Sequence, residues 1–168
     1  MQLHKGETLF RQGDEGPLFH LKSGLLKIVR THEDGSVHLM NIIVPGEMIP
    51  HHSLITPGAY HGTAVALIAS EVETLSAAEW YRSLEDDAAK CRTVALQLQE
   101  KLRMMQKRID QLTATTPAEK LRLFQLWFQD YISPFSLTEV LTQDEIGQFI
   151  GLRRETVNRL LRAQASET

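Results

Sequence analysis

Thr142-Gln143-Asp144-Glu145-Ile146-Gly147-Gln148-Phe149-Ile150-Gly151-Leu152-Arg153-Arg154-Glu155-Thr156-Val157-Asn158-Arg159-Leu160-Leu161 reads as two short helices joined by a sharp turn. Thr142 and Glu145 stand at capping-box spacing: the threonine hydroxyl accepts from the backbone N–H of Glu145 while the glutamate reaches back. Gly151 takes the turn and Gly147 lets the helices approach closely. Ile146, Ile150, Leu152, Val157 and Leu160 fall where two crossing helices bury apolar surface on each other. Met together, these requirements predict a helix-turn-helix. Counted at about 100° per residue, Arg154, Glu155, Asn158, Arg159 and Arg162 share an arc of roughly 140° on the second helix, opposite Thr156, Val157, Leu160 and Leu161.

The charge on that arc is segregated. Residues 152–163 carry four arginines against one acid, a local +3, in a chain whose 18 basic and 21 acidic residues leave a formal net charge of −3. A solvated helix face ordinarily mixes its signs, so this footprint predicts double-stranded DNA as the partner. Arginine can donate two hydrogen bonds to guanine O6 and N7, and a carboxylate can accept from cytosine N4. Arg154, Glu155 and Arg159 are therefore the base-reading candidates, with Asn158 and Arg162 beside them; each well-placed pair contributes about 1–3 kcal/mol of discrimination.

Working toward the N-terminus, Thr116-Pro117-Ala118-Glu119 opens another helix, with Leu121, Phe124, Leu126, Trp127, Phe128 and Tyr131 supplying a core and Ser133-Pro134-Phe135-Ser136 ending it. Before it, Leu84, Cys91, Leu98, Met105 and Leu112 recur every seven residues, interleaved with Ala88, Ala95, Leu102 and Ile109. The two series are four apart, the a/d stripe of a coiled coil. A helix of about 28 residues, roughly 40 Å long, exceeds what the preceding residues can cover, so the stripe predicts a homodimer with Leu84, Cys91, Ala95, Leu98, Leu102, Met105, Ile109 and Leu112 at its interface; the alternative is an amphipathic helix packed on its own domain. Cys91 is either a small buried hydrophobe there or, facing its symmetry mate, a redox-active thiol. Ser76-Ala77-Ala78-Glu79 starts a short helix before the stripe.

From Lys5 to about Leu75, glycines separate short runs such as Leu25–Arg30, which predicts strands joined by turns. Asp34-Gly35 marks a hairpin, and several such units predict a small β-sandwich or barrel. With 42% hydrophobic residues there is material for an ordinary core, yet no apolar run approaches the ~20 residues that span a bilayer. Met1-Gln2-Leu3-His4-Lys5 lacks the apolar stretch of a signal peptide. No membrane association and a cytoplasmic location are expected.

The sequence resembles the Crp/Fnr family of bacterial transcription regulators over nearly its whole length. Lys5-Gly6-Glu7, Gln12-Gly13-Asp14, Leu21-Lys22-Ser23-Gly24 and Pro45-Gly46-Glu47 look like the turns of that family's sensory domain, and Arg154-Glu155-Thr156-Val157-Asn158-Arg159 resembles its recognition-helix signature. The resemblance implies an α+β fold: an N-terminal β-roll (double-stranded β-helix or jelly-roll) over 1–83, a dimerisation helix over 84–114, and a helix-turn-helix DNA-binding domain over 115–168. It further implies inverted TGTGA-type or TTGA-type half-sites read by Arg154, Glu155 and Arg159, and contact with RNA polymerase if the protein activates.

The departures bear on the signal. Cyclic-nucleotide-binding members carry a glutamate and then an arginine in the stretch that here reads Ile49-Pro50-His51-His52-Ser53-Leu54-Ile55-Thr56-Pro57-Gly58-Ala59-Tyr60-His61-Gly62-Thr63-Ala64. A cyclic nucleotide monoanion would lack its arginine partner, so His51, His52, Ser53, Tyr60, His61 and Thr63 are candidates for the pocket of an unidentified effector. A single cysteine excludes the family's iron–sulfur cluster. Imidazoles suit Zn, Cu, Ni and Fe, but adjacent His51 and His52 share a site only from a loop, and no carboxylate spacing completes a metal motif. No cofactor is expected; a metal or haem sensor is the alternative. Ala163-Gln164-Ala165-Ser166-Glu167-Thr168 stands where the family continues into a β-hairpin wing, so the full wing is expected to be lacking, and Arg153 stands where a serine or threonine cap is usual. Another alternative is a wingless partner protein that titrates a full-length regulator. A cupin-like metal enzyme would leave the helix-turn-helix unexplained, so no catalysis is expected.

Overall fold

Eight short strands precede the first α-helix in the computed structural model: β1 (Gln2–Leu3), β2 (Thr8–Phe10), β3 (Leu18–Ser23), β4 (Leu26–Thr31), β5 (Val37–Ile43), β6 (Met48–Ile49), β7 (Thr63–Ala66) and β8 (Ser70–Leu75), with a 3-10 turn at His51–Ser53 between β6 and β7. They form two four-stranded antiparallel sheets, ordered β1-β8-β3-β6 and β2-β7-β4-β5. Residues 1–166 are described; Glu167 and Thr168, the end of the segment expected over 115–168, lie outside them. The Asp34-Gly35 hairpin forms as its sequence asks, with Gly35 at φ 80° and β4 paired to β5 from Leu26 opposite Ile43 to Thr31 opposite Val37. Alternation places Leu21, Leu26, Ile43, Ile49, Ala64 and Val72 in one core between the sheets. Gly24 is the tightest turn: at φ +90°, a Cβ there would lie 2.5 Å from the Ala69 carbonyl oxygen.

Among the described residues, six α-helices follow: α1 (Ala77–Asp86), α2 (Ala88–Thr113), α3 (Pro117–Ile132), α4 (Leu137–Val140), α5 (Gln143–Ile150) and α6 (Arg154–Ser166). With the antiparallel sheets they make the α+β roll-and-helix architecture. Among the described residues, no helix is long and apolar enough to cross a membrane. The chain divides into two compact units, Met1–Leu102 and Arg103–Thr168, with α2 shared between them.

The long helix differs from its sequence reading at its start. Asp87 is extended at φ −129°, ψ 96°, and its Oδ1 accepts from the N–H groups of Ala89 and Lys90 at 2.9 and 3.0 Å. Its carboxylate thus caps α2 and interrupts the stripe, because an aspartate that binds these donors favours a helix start over a helix interior. Leu84 therefore belongs to α1. Leu84 and Leu98, expected at a dimer seam, are half-buried and pack beside Leu18, Leu54, Trp80 and Val94 of their own unit. Cys91 is half-buried, its thiol directed at the Leu84 carbonyl at 3.4 Å. The other heptad series faces outward: Ala88 and Ala95 are exposed, Leu102 is 60% exposed and Ile109 57% exposed. Leu112 is also exposed and Met105 half-buried.

In the second unit, Thr116 Oγ1 accepts from the Glu119 N–H at 3.2 Å and Pro117 opens α3. Leu121, Phe124, Trp127, Phe128 and Ile132 are buried along this helix. Phe149 of α5 stacks on Phe124 with ring centroids 4.6 Å apart, and the Arg108 guanidinium of α2 lies over the same ring at 4.0 Å. Burial lowers the Arg108 pKa to about 10. Ser136 and Glu139 form a further capping box that starts α4, a helix over residues to which the sequence reading assigned no element.

Candidate functional site

Gly151 ends α5 in the left-handed conformation, φ 68° and ψ 41°, where a side chain is disfavoured. The Leu152 N–H then donates to the Gly147 carbonyl at 2.8 Å. A Cβ on Gly147 would sit 2.5 Å from the Leu152 carbonyl oxygen, so the turn's backbone requires glycine there. Thr142 and Glu145 make both halves of their capping box. Ile146, Ile150 and Val157 are fully buried, and Leu152, Thr156, Leu160 and Leu161 half-buried.

That burial turns the opposite face of α6 outward. Arg154, Glu155, Arg159 and Arg162 are exposed and Asn158 is half-buried. Among the described residues, no carboxylate pairs with the guanidinium groups of Arg153, Arg154, Arg159 or Arg162. Arg153 lies outside the sequence-derived reading set. It immediately precedes α6, and its carbonyl accepts from the N–H groups of Thr156 and Val157 at 3.0 and 3.1 Å. Having no side-chain acceptor, it leaves the first N–H groups of the helix open beside a cluster of positive charge. Such a surface can take phosphate oxygens at its rim and present arginine forks and one carboxylate to base edges.

The effector candidates divide. His51, His52 and His61 line a cavity of about 200 Å³ in the roll, with Asn41 and apolar walls from Phe10, Ile28, Ile43 and Ile49. His52 and His61 stack face to face, centroids 3.8 Å apart and planes 3° apart, and His52 Nε2 lies 3.0 Å from the Ala59 carbonyl. Burial, together with the neighbouring His61 and His51, holds the His52 pKa below the ordinary imidazole value. Ser53 and Tyr60 border a different cavity. Tyr60 is a core residue, with its ring 4.2 Å from that of Phe10 and its hydroxyl donating to the Pro17 carbonyl at 2.7 Å. Thr63 Oγ1 accepts from the Gln12 N–H at 3.0 Å. The stacked imidazoles do not converge on a common point, and among the described residues no three His, Cys, Asp or Glu side chains are placed to hold a metal. The residues present do not fit a metal centre.

Two residues beside the cavity escaped the sequence reading. Glu47, 15% exposed, accepts from Lys101 Nζ at 2.8 and 2.9 Å, and its Oε2 lies 3.1 Å from His51 Nε2. Burial alone would raise the Glu47 pKa; the His51 hydrogen bond and the Lys101 charge outweigh it and hold the carboxyl below its usual range. Stability from such a group is complete above the unfolded-state pKa and is lost as the pH falls through the folded-state value. The E47Q variant is therefore expected to be less stable than wild type near neutrality and to lose less on acidification. Urea unfolding from about pH 7 to about pH 3 checks this; parallel curves for the two proteins would deny Glu47 that role.

Comparison with known proteins gives the same architecture a lineage. The profile of the cyclic nucleotide-binding domain matches residues 1–87, and that of the bacterial regulatory proteins of the crp family matches residues 140–163. The CRP-like cAMP-activated global transcriptional regulator of Mycobacterium tuberculosis is 30% identical over 165 residues, covering 94% of this chain and 73% of that protein. The cyclic AMP receptor protein of Thermus thermophilus is 27% identical over 166 residues, covering 97% of this chain and 75% of its own. FixK2 from Bradyrhizobium japonicum superposes with a TM-score of 0.83 at 18% identity, over 99% of this chain and 84% of its own, a likeness of fold. The roll, the long helix, the helix-turn-helix and these matches together establish that the chain belongs to the Crp/Fnr family of bacterial transcription regulators, which are not enzymes.

Proposed function

We propose that this chain is a homodimeric, sequence-specific DNA-binding regulator that reads an inverted-repeat operator. The observation that carries the reading is the exposed set on α6 and at its start, three arginines on the helix and Arg153 just before it, unpaired by any carboxylate among the described residues, with one glutamate, behind a buried helix-turn-helix core. Arg154, Glu155 and Arg159 read base edges; Asn158 and Arg162 flank them and Arg153 adds a phosphate contact. The exposed heptad series Ala95, Leu102 and Ile109 supports pairing of two copies along α2. Two-fold symmetry then sets half-site centres about 34–36 Å apart, one helical turn. The organisation is sensory over 1–83, dimerising over 84–114 and DNA-reading over 115–168, with RNA polymerase a further partner if the protein activates, all in the cytoplasm.

The roll's cavity is the effector site in this reading. Its lining includes no lysine or arginine, so a cyclic phosphate would find no cation there. Its roughly 200 Å³ also falls below the ~300–1,000 Å³ of pockets for drug-sized ligands. A smaller, hydrogen-bonding molecule fits the imidazoles and Asn41 better.

Fluorescence anisotropy of the purified protein against a duplex with the inverted TGTGA-type repeat and against a scrambled duplex, across a salt series, tests the DNA reading. The repeat is expected to bind more tightly. The Arg162→Ala variant should weaken binding to both duplexes alike and reduce the log–log salt slope by about 1. No binding to either duplex at low salt would favour the partner-protein reading instead.

A further inference from the structure

Glu47 joins two residues that lie fifty positions apart in the chain, His51 and Lys101. On one side, its carboxylate holds His51, a wall of the 200 Å³ cavity. On the other, it takes both short contacts from Lys101 of α2. Lys101 is only 8% exposed, whereas a lysine on a helix surface ordinarily keeps its ammonium in water. The next residue, Leu102, is 60% exposed on the outward stripe. A buried ammonium held by a carboxylate that a second group also grips is sensitive to the loss of any member, because the charge left behind stays desolvated.

We propose that Glu47 is the coupling residue of this regulator: an occupant of the cavity that draws His51 off the Glu47 carboxylate changes how firmly Lys101, and with it α2 from Val94 to Lys101, is held to the roll. The proposal rests on the reading of the cavity as effector site and of α2 as dimer helix. A hydrogen-bonding occupant competes with Glu47 for the His51 ring. Lys101 then remains on a carboxylate that has lost one of its two partners, and the helix surface carrying Leu102 is re-tensioned. The route passes through the Glu47 carboxylate, so it can be broken from either end.

The test breaks it from the cavity end in the full-length protein and reads the helix end. Amide hydrogen exchange resolved to α2, and the dimer dissociation constant from sedimentation, are compared for wild type, H51L, H51Q and E47Q. The hydrogen-bonding partner of His51 is Glu47, on the roll. H51L is nevertheless expected to raise exchange over residues 94–101 by about tenfold, the scale of one lost charge-assisted hydrogen bond, and to move the dimer constant in the same direction as E47Q. H51Q, which can keep a donor to Glu47, should stay near wild type and shows that the site still folds. Exchange in H51L raised only over residues 48–62, with α2 and the dimer constant unchanged, would overturn the proposal. A wild-type protein that never dimerises would instead sink the dimer reading, while the α2 exchange pattern would still decide the coupling.

Discussion

Aspartate at both Leu102 and Ile109 is expected to leave the protein monomeric and to lower its affinity for an inverted repeat by about a hundredfold or more. Both side chains are more than half exposed, seven residues apart on α2. Full burial of a leucine or isoleucine contributes about 1.5–3 kcal/mol, and a two-fold seam counts each residue twice. Carboxylates in that seam would remove the contribution and add like-charge repulsion across the axis. A monomer reads one half-site and forfeits the ~10²–10⁴ gain of bivalent engagement. Sedimentation equilibrium and anisotropy check the two halves of this expectation. The same substitution at Leu98 should behave differently: Leu98 packs against its own unit's Trp80 cluster, so its cost falls on folding. A double aspartate variant that still dimerised would move the interface off this stripe.

Gly147→Ala carries the second large effect, and its sign is diagnostic. In an ordinary helix interior, alanine is favoured over glycine by about 1 kcal/mol. Here the new Cβ would press on the Leu152 carbonyl oxygen at 2.5 Å and approach the Arg154 amide nitrogen at 3.5 Å. Both are backbone atoms of the turn that aims α6, and neither can rotate away. Crowding a packed site costs about 1–3 kcal/mol, so a net loss of stability is expected in urea unfolding. Affinity should fall further than stability, because a turn opened by a few tenths of an ångström re-aims every group on the reading face. Unchanged DNA affinity with raised stability would mean that the two helices have more room than their geometry shows.

What was legible in the sequence was local. The Asp34-Gly35 hairpin, the Thr142–Glu145 box, the Gly151 turn and the polar arc of α6 each depend on residues a few positions apart, and each is present. The heptad series was legible as a period but not as a partition. Which series meets the roll and which faces solvent depends on Leu18, Leu54 and Trp80, distant in the chain from the stripe. Asp87 has the composition of a cap, yet the unbroken spacing of apolar residues across it masked the boundary between α1 and α2. Among the effector candidates, Tyr60 looked polar and is drawn into the core by Phe10 and Phe19, its hydroxyl satisfied by Pro17. Glu47 and Lys101 form a pair 54 residues apart, with no periodicity to announce it.

The reading of base edges by α6 is tested most directly by the base preferences of the Glu155→Ala variant, measured on duplexes in which each half-site position is varied through all four bases. If the exposed Glu155 accepts from a cytosine, the variant loses discrimination of about 1–3 kcal/mol at one base pair in each half-site and keeps it elsewhere. Affinity falling equally for every duplex, or a preference pattern identical to that of the wild type, would contradict base reading by this helix.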